Sequence, residues 1–332
     1  MFSAPQGASP KSSWLDFPAA DQVCAPYRAM TILETQANSI VDAMAGRVDL
    51  GRGALTDACD ELQSALSVVT ETLPRGWVML VAAWHAQAEG ARGNTAAAVA
   101  ALGHAEAAAG PQVAVFQPEL ELARAWERAA VGETTAARVH AGRAAQLARR
   151  SDMLPVEMHA LHTSVRFGDR SATARLGDLA NVLRSPLAEI VAAHSRGLAD
   201  HDGDRLDDVA RRFEELGAMA MAADAAAQAA RAHARNGSRI KELESSTRAH
   251  WHASQFGLRT PATAAIDGPL PITDREREVA TLVATGLSSR EIGDRLNVSA
   301  RTVEGHLYRI FTKLGIADRD ELAHLVRNHA SN

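Results

Sequence analysis

Between Arg301 and Thr312 the residues equipped for chemistry recur on one side of a helix: Arg301, Glu304, Gly305, Tyr308 and Thr312. A guanidinium, a carboxylate, a phenol and a hydroxyl in that row offer hydrogen-bond donors and acceptors to a polar surface. No nucleophile and base stand together among them. The opposite side, Val303, Leu307, Ile310, Phe311 and Leu314, is a single apolar stripe that must face a core. A solvated amphipathic helix would account for both faces, but not for Gly305, since glycine in mid-helix costs about 1 kcal/mol relative to alanine. A glycine on the outer face suits a helix that approaches another surface closely.

The elements that must position this face precede it. Thr273-Asp274-Arg275-Glu276 is a capping box, in which hydroxyl and carboxylate satisfy each other's free N–H groups at a helix start. Val279, Leu282 and Val283 follow at helical spacing, and Gly286 closes the helix. Ser288-Ser289-Arg290-Glu291 is a second capping box, opening a helix that turns Ile292 and Leu296 inward. Asn297 to Ala300 cover a turn, with Ser299 as the N-cap of a longer helix that runs to about Leu314. Two short helices joined by a tight turn, the second polar along one side, form the arrangement that reads DNA from the major groove.

The stretches Ile272–Val279, Gly286–Ile292, Val298–Leu307 and Lys313–Gly315 together resemble the LuxR-type DNA-binding domain of bacterial transcription regulators, without a gap. The resemblance implies a four-helix domain over residues 272–332 with the third helix in the major groove. It implies that Glu304, Gly305 and Tyr308 face base edges, and that Ser289, Arg290, Arg301, Thr302 and His306 face the DNA backbone. It also implies that the last helix, Asp318 to Asn328, is a dimer helix, with Leu322, Leu325 and Val326 on its apolar side. Some members carry lysine where Glu304 stands. A carboxylate there disfavours phosphate and would accept from a cytosine amino group, so the target sequence differs from theirs.

Charge sets the affinity expected of this domain. From Thr273 onward nine Lys/Arg balance nine Asp/Glu, and the whole chain carries −5. Free-standing nucleic-acid binders are usually basic. One neutral domain should bind weakly, so a homodimer on a two-fold-related site is the expected partner of double-stranded DNA.

The remaining residues read as all-α. Within 332 residues aromatics make up 4%, alanine is abundant, and helical periodicity runs through residues 21–256 with no convincing strand. Residues 1–20 hold proline, serine and glycine without the basic and apolar regions of a signal peptide, and are expected to be disordered. No apolar run is long enough for a membrane span, and cytoplasmic placement is expected. Cys24 and Cys59 imply no disulfide framework and read as small packing residues.

Glycines followed by turn or capping residues punctuate the helical region at Gly53, Gly93, Gly132, Gly168, Gly203 and Gly237, at separations of 40, 39, 36, 35 and 34 residues. A helical hairpin at about that period resembles the tetratricopeptide arrays in a degenerate form. Ala58, Ala98 and Ala137 supply the small residue five positions after the glycine, whereas Thr173, Asp208 and Glu242 depart from it. Stacked hairpins would present a concave surface to a protein or small-molecule effector. Residues 257–271, with three prolines and two glycines, read as the linker to the DNA-binding domain.

No phosphate-binding loop, zinc-protease helix or paired C-x-x-C is present, so no catalytic residue, metal or cofactor is assigned and the chain is not expected to be an enzyme. His159 and His162 lie one turn apart, a spacing that chance supplies among thirteen histidines. His85 and His104 receive no role, and Trp77, Trp84 and Trp126 read as core. A helical array followed by a LuxR-type domain resembles the C-terminal part of the large MalT-like ATP-dependent regulators, without their ATPase module. The reading is a sequence-specific transcription regulator with a helical sensor or docking domain. The alternative is a repeat-type adaptor whose DNA-binding domain is secondary.

Overall fold

The computed structural model describes residues 35–266, 272–314 and 316–330. The N-terminal segment 1–20 and Cys24 lie outside them. The described chain is all-α, mostly helical repeats that end in a separate helical cluster. No described helix is long and apolar enough to cross a membrane.

Helices α1 (Thr35–Arg52) and α2 (Leu55–Thr72) come first, then α3 (Arg75–Ala91) and α4 (Thr95–Ala108). A 3₁₀ turn over Pro111–Phe116 leads to α5 (Gln117–Ala130) and α6 (Thr134–Arg150). They are followed by α7 (Leu154–Arg166), α8 (Thr173–Leu183), α9 (Pro186–Asp200), α10 (Gly203–Glu215), α11 (Met219–Arg235) and α12 (Arg239–Phe256). Each helix packs on the next in sequence, and α3 also packs on α5.

Five of the punctuating glycines do what their type permits. Gly53, Gly93, Gly132, Gly168 and Gly237 all have φ between +70° and +90°, the left-handed turn that a side chain resists. Gly203 departs from the series. It opens α10, and the left-handed residue is His201 (φ 54°). A Cβ at Gly203 would lie 2.5 Å from the His233 ring, so the missing side chain makes room for a neighbour instead of a turn. Five positions after Gly53, Gly93 and Gly132, Ala58, Ala98 and Ala137 are fully buried. Counted from His201, the equivalent residue is the buried Leu206, while Asp208 is exposed.

The interior of the array is filled by its own chain. In α11 every residue from Ala220 to Ala230 is buried, a helix apolar on nearly all sides and enclosed by its neighbours. Its alanines let other backbones come close: a Cβ on Gly53 would lie 2.6 Å from that of Ala220. The first turn of the array therefore meets the last pair of helices, 167 residues later in sequence, and the array winds back on itself.

Two polar side chains inside α11 are satisfied by specific partners. The carboxylate of Asp224 accepts from Arg166 Nε at 2.5 Å and from the Thr260 hydroxyl. Arg166 also lies over the Trp126 ring, 4.7 Å from its centroid. The Gln228 amide donates to the carbonyls of Val165 and Arg166, and its carbonyl meets His194 Nε2 at 2.9 Å. His194 Nδ1 in turn faces His162 Nε2 at 2.9 Å. His162 thus pairs across the core with His194 and not along its own helix with His159. Burial, above all, holds all three imidazoles below their usual range, His194 at about 4.

The segment expected to be a linker is packed for its first half. Gly257 (φ +64°) caps α12, and Leu258 is buried. Arg259 N–H donates to the Ala91 carbonyl at 2.8 Å. Thr260 then caps the short helix α13 (Pro261–Ala264), which lies against α11 and α12. The apolar content of Leu258, Ala262 and the two threonines, all buried, explains why this stretch adheres to the array. Residues 267–271 lie outside the described residues.

Candidate nucleic-acid interface

The C-terminal cluster consists of α14 (Asp274–Ala284), α15 (Ser289–Leu296), α16 (Ala300–Leu314) and α17 (Arg319–Ala330). Both capping boxes form with reciprocal bonds. Thr273 Oγ1 accepts from Glu276 N–H while the Glu276 carboxylate accepts from Thr273 N–H, and Ser288 and Glu291 repeat the pattern. Gly286 (φ +86°) ends α14, and Asn297 (φ 58°) ends α15 in the same left-handed conformation. Ser299 Oγ accepts from Thr302 N–H at 3.1 Å, as its N-cap role requires.

Val303, Leu307, Ile310 and Leu314 of α16 are buried against Ile272, Val279, Val283 and Ile292. The outer face carries Arg301, Glu304 and Tyr308, and Tyr308 is 73% exposed, a large aromatic ring with no core to enter. A Cβ on Gly305 would meet nothing within 4 Å, so the outer face is open at that point. Arg290, in the first turn of α15, and Thr302, beside Arg301 in the first turn of α16, are exposed as well.

Two of the assigned backbone-facing residues are partly turned into the domain. The Ser289 hydroxyl accepts from Arg319 Nη1 at 3.1 Å, and Arg319 also donates to the Leu287 carbonyl. His306 is half-buried, its Nδ1 has no partner, and burial first, then Arg309, hold it below the usual imidazole range.

The residues named on the apolar side of the last helix face inward. Leu322, Leu325 and Val326 are buried in the domain's own core, where they hold α17 onto α14. A stripe of three apolar residues cannot fill the core and cover a second copy at once. They are folding residues in this arrangement.

Some positioning residues were not singled out from sequence. Gly293 sits in α15, where a Cβ would lie 2.7 Å from the Val298 carbonyl oxygen, so only glycine lets the turn fold back this tightly. Arg275 ties α14 to the end of α15 by donating to the Leu296 carbonyl at 2.8 Å. Lys313 reaches Glu276 at 2.6 Å and joins α16 to the first capping box. Burial pushes the Glu276 carboxyl up, but Lys313 and the Thr273 N–H outweigh it and hold it below the usual carboxylate range. The glycine within so short a helix was the only hint available in sequence; the cation partners lie too far along the chain to be paired by inspection.

Elsewhere among the described residues, two sets of possible metal-ligand atoms lie within 4.8 Å of one another: Cys59, His85 and Glu89, and Asp204, Asp207 and His233. Protein cations already stand beside both, with Arg92 3.7 Å from Glu89 and Lys241 2.6 Å from Asp204. Burial above all pushes the Cys59 thiol up to about 12, as befits a packing residue. Trp84 and Trp126 are buried, and Trp77 is partly so.

Residues 270–326 match the family described as "Bacterial regulatory proteins, luxR family". Among similar proteins, a putative HTH-type transcriptional regulator of Mycobacterium bovis is 49% identical over 51 residues, which is 15% of this chain and 6% of that protein. The transcriptional regulatory protein LiaR of Bacillus subtilis is 39% identical over 62 residues, 18% of this chain and 29% of its own length. The oxygen regulatory protein NreC of Staphylococcus aureus is 43% identical over 61 residues, 18% and 28% of the two chains. This chain therefore covers less than a third of each of these relatives.

Proposed function

We propose that this chain, whose residues 270–326 are of the LuxR helix-turn-helix type, is a DNA-binding transcription regulator that inserts α16 into the major groove. The observation that carries the reading is the division of α16. Its apolar stripe is spent in the core, while Arg301, Glu304 and a 73% exposed Tyr308 stand outward beside an open Gly305. Glu304, Gly305 and Tyr308 are assigned to base edges, and Arg290, Arg301 and Thr302 to phosphates. Ser289 and His306 support the backbone contact from partly internal positions. In this reading the chain is not an enzyme, in keeping with relatives that bear the names of transcription regulators.

The site is read as two-fold related, because a domain with equal numbers of cations and anions needs a second copy for affinity. The helical array is assigned the role of receiving a signal. An adaptor that captures a partner segment in the concave interior is the weaker reading, since α11 occupies that interior. Selection of bound sequences from a random DNA pool with the full chain tests the proposal. An enriched motif with inverted symmetry, bound by two chains, is expected. Absence of any enriched motif would refute sequence-specific binding, and an asymmetric site bound by one chain would refute the two-fold assignment.

A further inference from the structure

We propose that the helical array holds a binding site for a small phosphorylated metabolite, lined by Arg138, Arg166, Arg170, Arg231 and Arg235. The proposal rests on the reading of the array as the signal-receiving part, and it names the chemistry of the signal. The pocket has a volume of 350 Å³, within the range of small-molecule sites. It is walled by the start of α6, the end of α7, the last turn of α9 and one side of α11. Five arginines line it and no carboxylate does, in a chain whose overall charge is −5. Asp224 balances Arg166, and the other four form no ion pair among the described residues, so their like charges favour the entry of an anion.

The site is more than a basic patch. Arg166 is buried, with its Nε spent on Asp224, yet its Nη2 has no partner and the residue lines the pocket. A buried guanidinium N–H without an acceptor is costly, and a ligand oxygen would satisfy it. At the rim, the side chains of Arg170 and Arg231 make no hydrogen bond or ion pair among the described residues, and both are exposed and available. Arg235 donates to the His201 ring at 2.8 Å. Burial, then Arg170 and Arg235, hold His201 below its usual range. Planar guanidinium forks match phosphoryl oxygens two at a time, and one phosphoryl group brings close to two negative charges in little volume. A compact multiply charged anion therefore fits the five arginines better than a single carboxylate.

The position of the pocket gives it an outlet. Pro261, Ala262 and Ala265 form part of the wall, and they belong to the stretch that leads from α12 towards the DNA-binding helices. An occupied pocket would gather its arginines against that wall and so bias the start of the connection.

Calorimetric titration of the full chain at low salt, with sodium pyrophosphate and glucose 6-phosphate as probes and with glucose and sodium citrate as controls, tests the site. Saturable binding of both phosphorylated probes below millimolar concentration, and none of glucose, is expected. The double variant Arg170→Ala/Arg231→Ala should weaken it at least ten-fold with an unchanged melting temperature, because neither side chain holds the fold. Arg211→Ala, an exposed arginine outside the pocket, should leave it unaltered. No saturable binding to natively melting protein, or equal binding by the double variant, would overturn the proposal. So would binding of citrate alone, which would assign a polycarboxylate. Sequence selection on the same preparation reports DNA binding separately: anion binding without DNA binding would refute the proposed function and leave the pocket standing.

Discussion

Replacing Gly305 separates what the fold needs from what a DNA surface would need. A Cβ at this position would meet nothing within 4 Å, and the glycine lies in the middle of α16, with ordinary helical neighbours on either side. Gly305→Ala should therefore gain the helix propensity that glycine forgoes, about 0.5–1 kcal/mol. Gly305→Leu should gain a similar amount, because its side chain also finds open space. For a domain of this size, that gain corresponds to a rise in melting temperature of a few degrees. Docked on DNA, the same open space is filled by base edges. Leucine would hold the helix away from the groove and cost at least one good base contact, about 1–3 kcal/mol, or roughly five- to more than a hundred-fold in affinity. Alanine should cost less than leucine. Thermal melting and fluorescence anisotropy with the selected DNA, run on the same preparations, make the comparison. A raised melting temperature with unchanged affinity for leucine would refute the placing of this face against DNA. A lowered melting temperature would refute the steric reading of Gly305.

Arg301→Ala should weaken binding alike on all sequences and reduce the salt slope by about one, whereas Glu304→Ala should relax preference at one base pair by about 1–3 kcal/mol; a uniform loss for Glu304→Ala would misplace that residue. Gly293→Ala should destabilise the C-terminal domain by about 1–3 kcal/mol in denaturant titration, since its Cβ would press on the Val298 carbonyl at 2.7 Å, and a neutral effect would mean that the turn relaxes freely. Asp224→Ala leaves Arg166 as a buried charge without its partner and should cost the array about 3–5 kcal/mol, read by thermal or chemical unfolding. The buried imidazoles have folded pKa values below their unfolded value of 6.5, so the unfolded chain binds more protons between the two. Stability they contribute is full above about 6.5 and is lost as pH falls towards the folded value, about 4 for His194, at roughly 1.4 kcal/mol per pH unit for each histidine. Melting temperatures that stay level from pH 7 to pH 5 would contradict this.

Local physics made much of the C-terminal helical cluster legible. A capping box needs only residues three apart, and an apolar stripe only a period of 3.6, so Thr273, Ser288 and Ser299 and the two faces of α16 could be placed from the chain alone. Positive φ at five turn glycines is likewise a property of the residue and its neighbours. What the chain alone could not decide was which partner each apolar or charged face meets. Leu322, Leu325 and Val326 make a stripe that serves equally well for a core or a second copy, and packing against α14 assigned it to the core. The concavity expected of stacked hairpins became an interior once α11, small enough on every side, was enclosed by helices from both ends of the array. His201 displaced Gly203 from its turn because His233, thirty residues on, needed the space. The five arginines between positions 138 and 235 form no motif, since their separations follow no period. They share a pocket because the winding of the array brings four helix ends together, and long-range closure of that kind leaves no local mark in sequence.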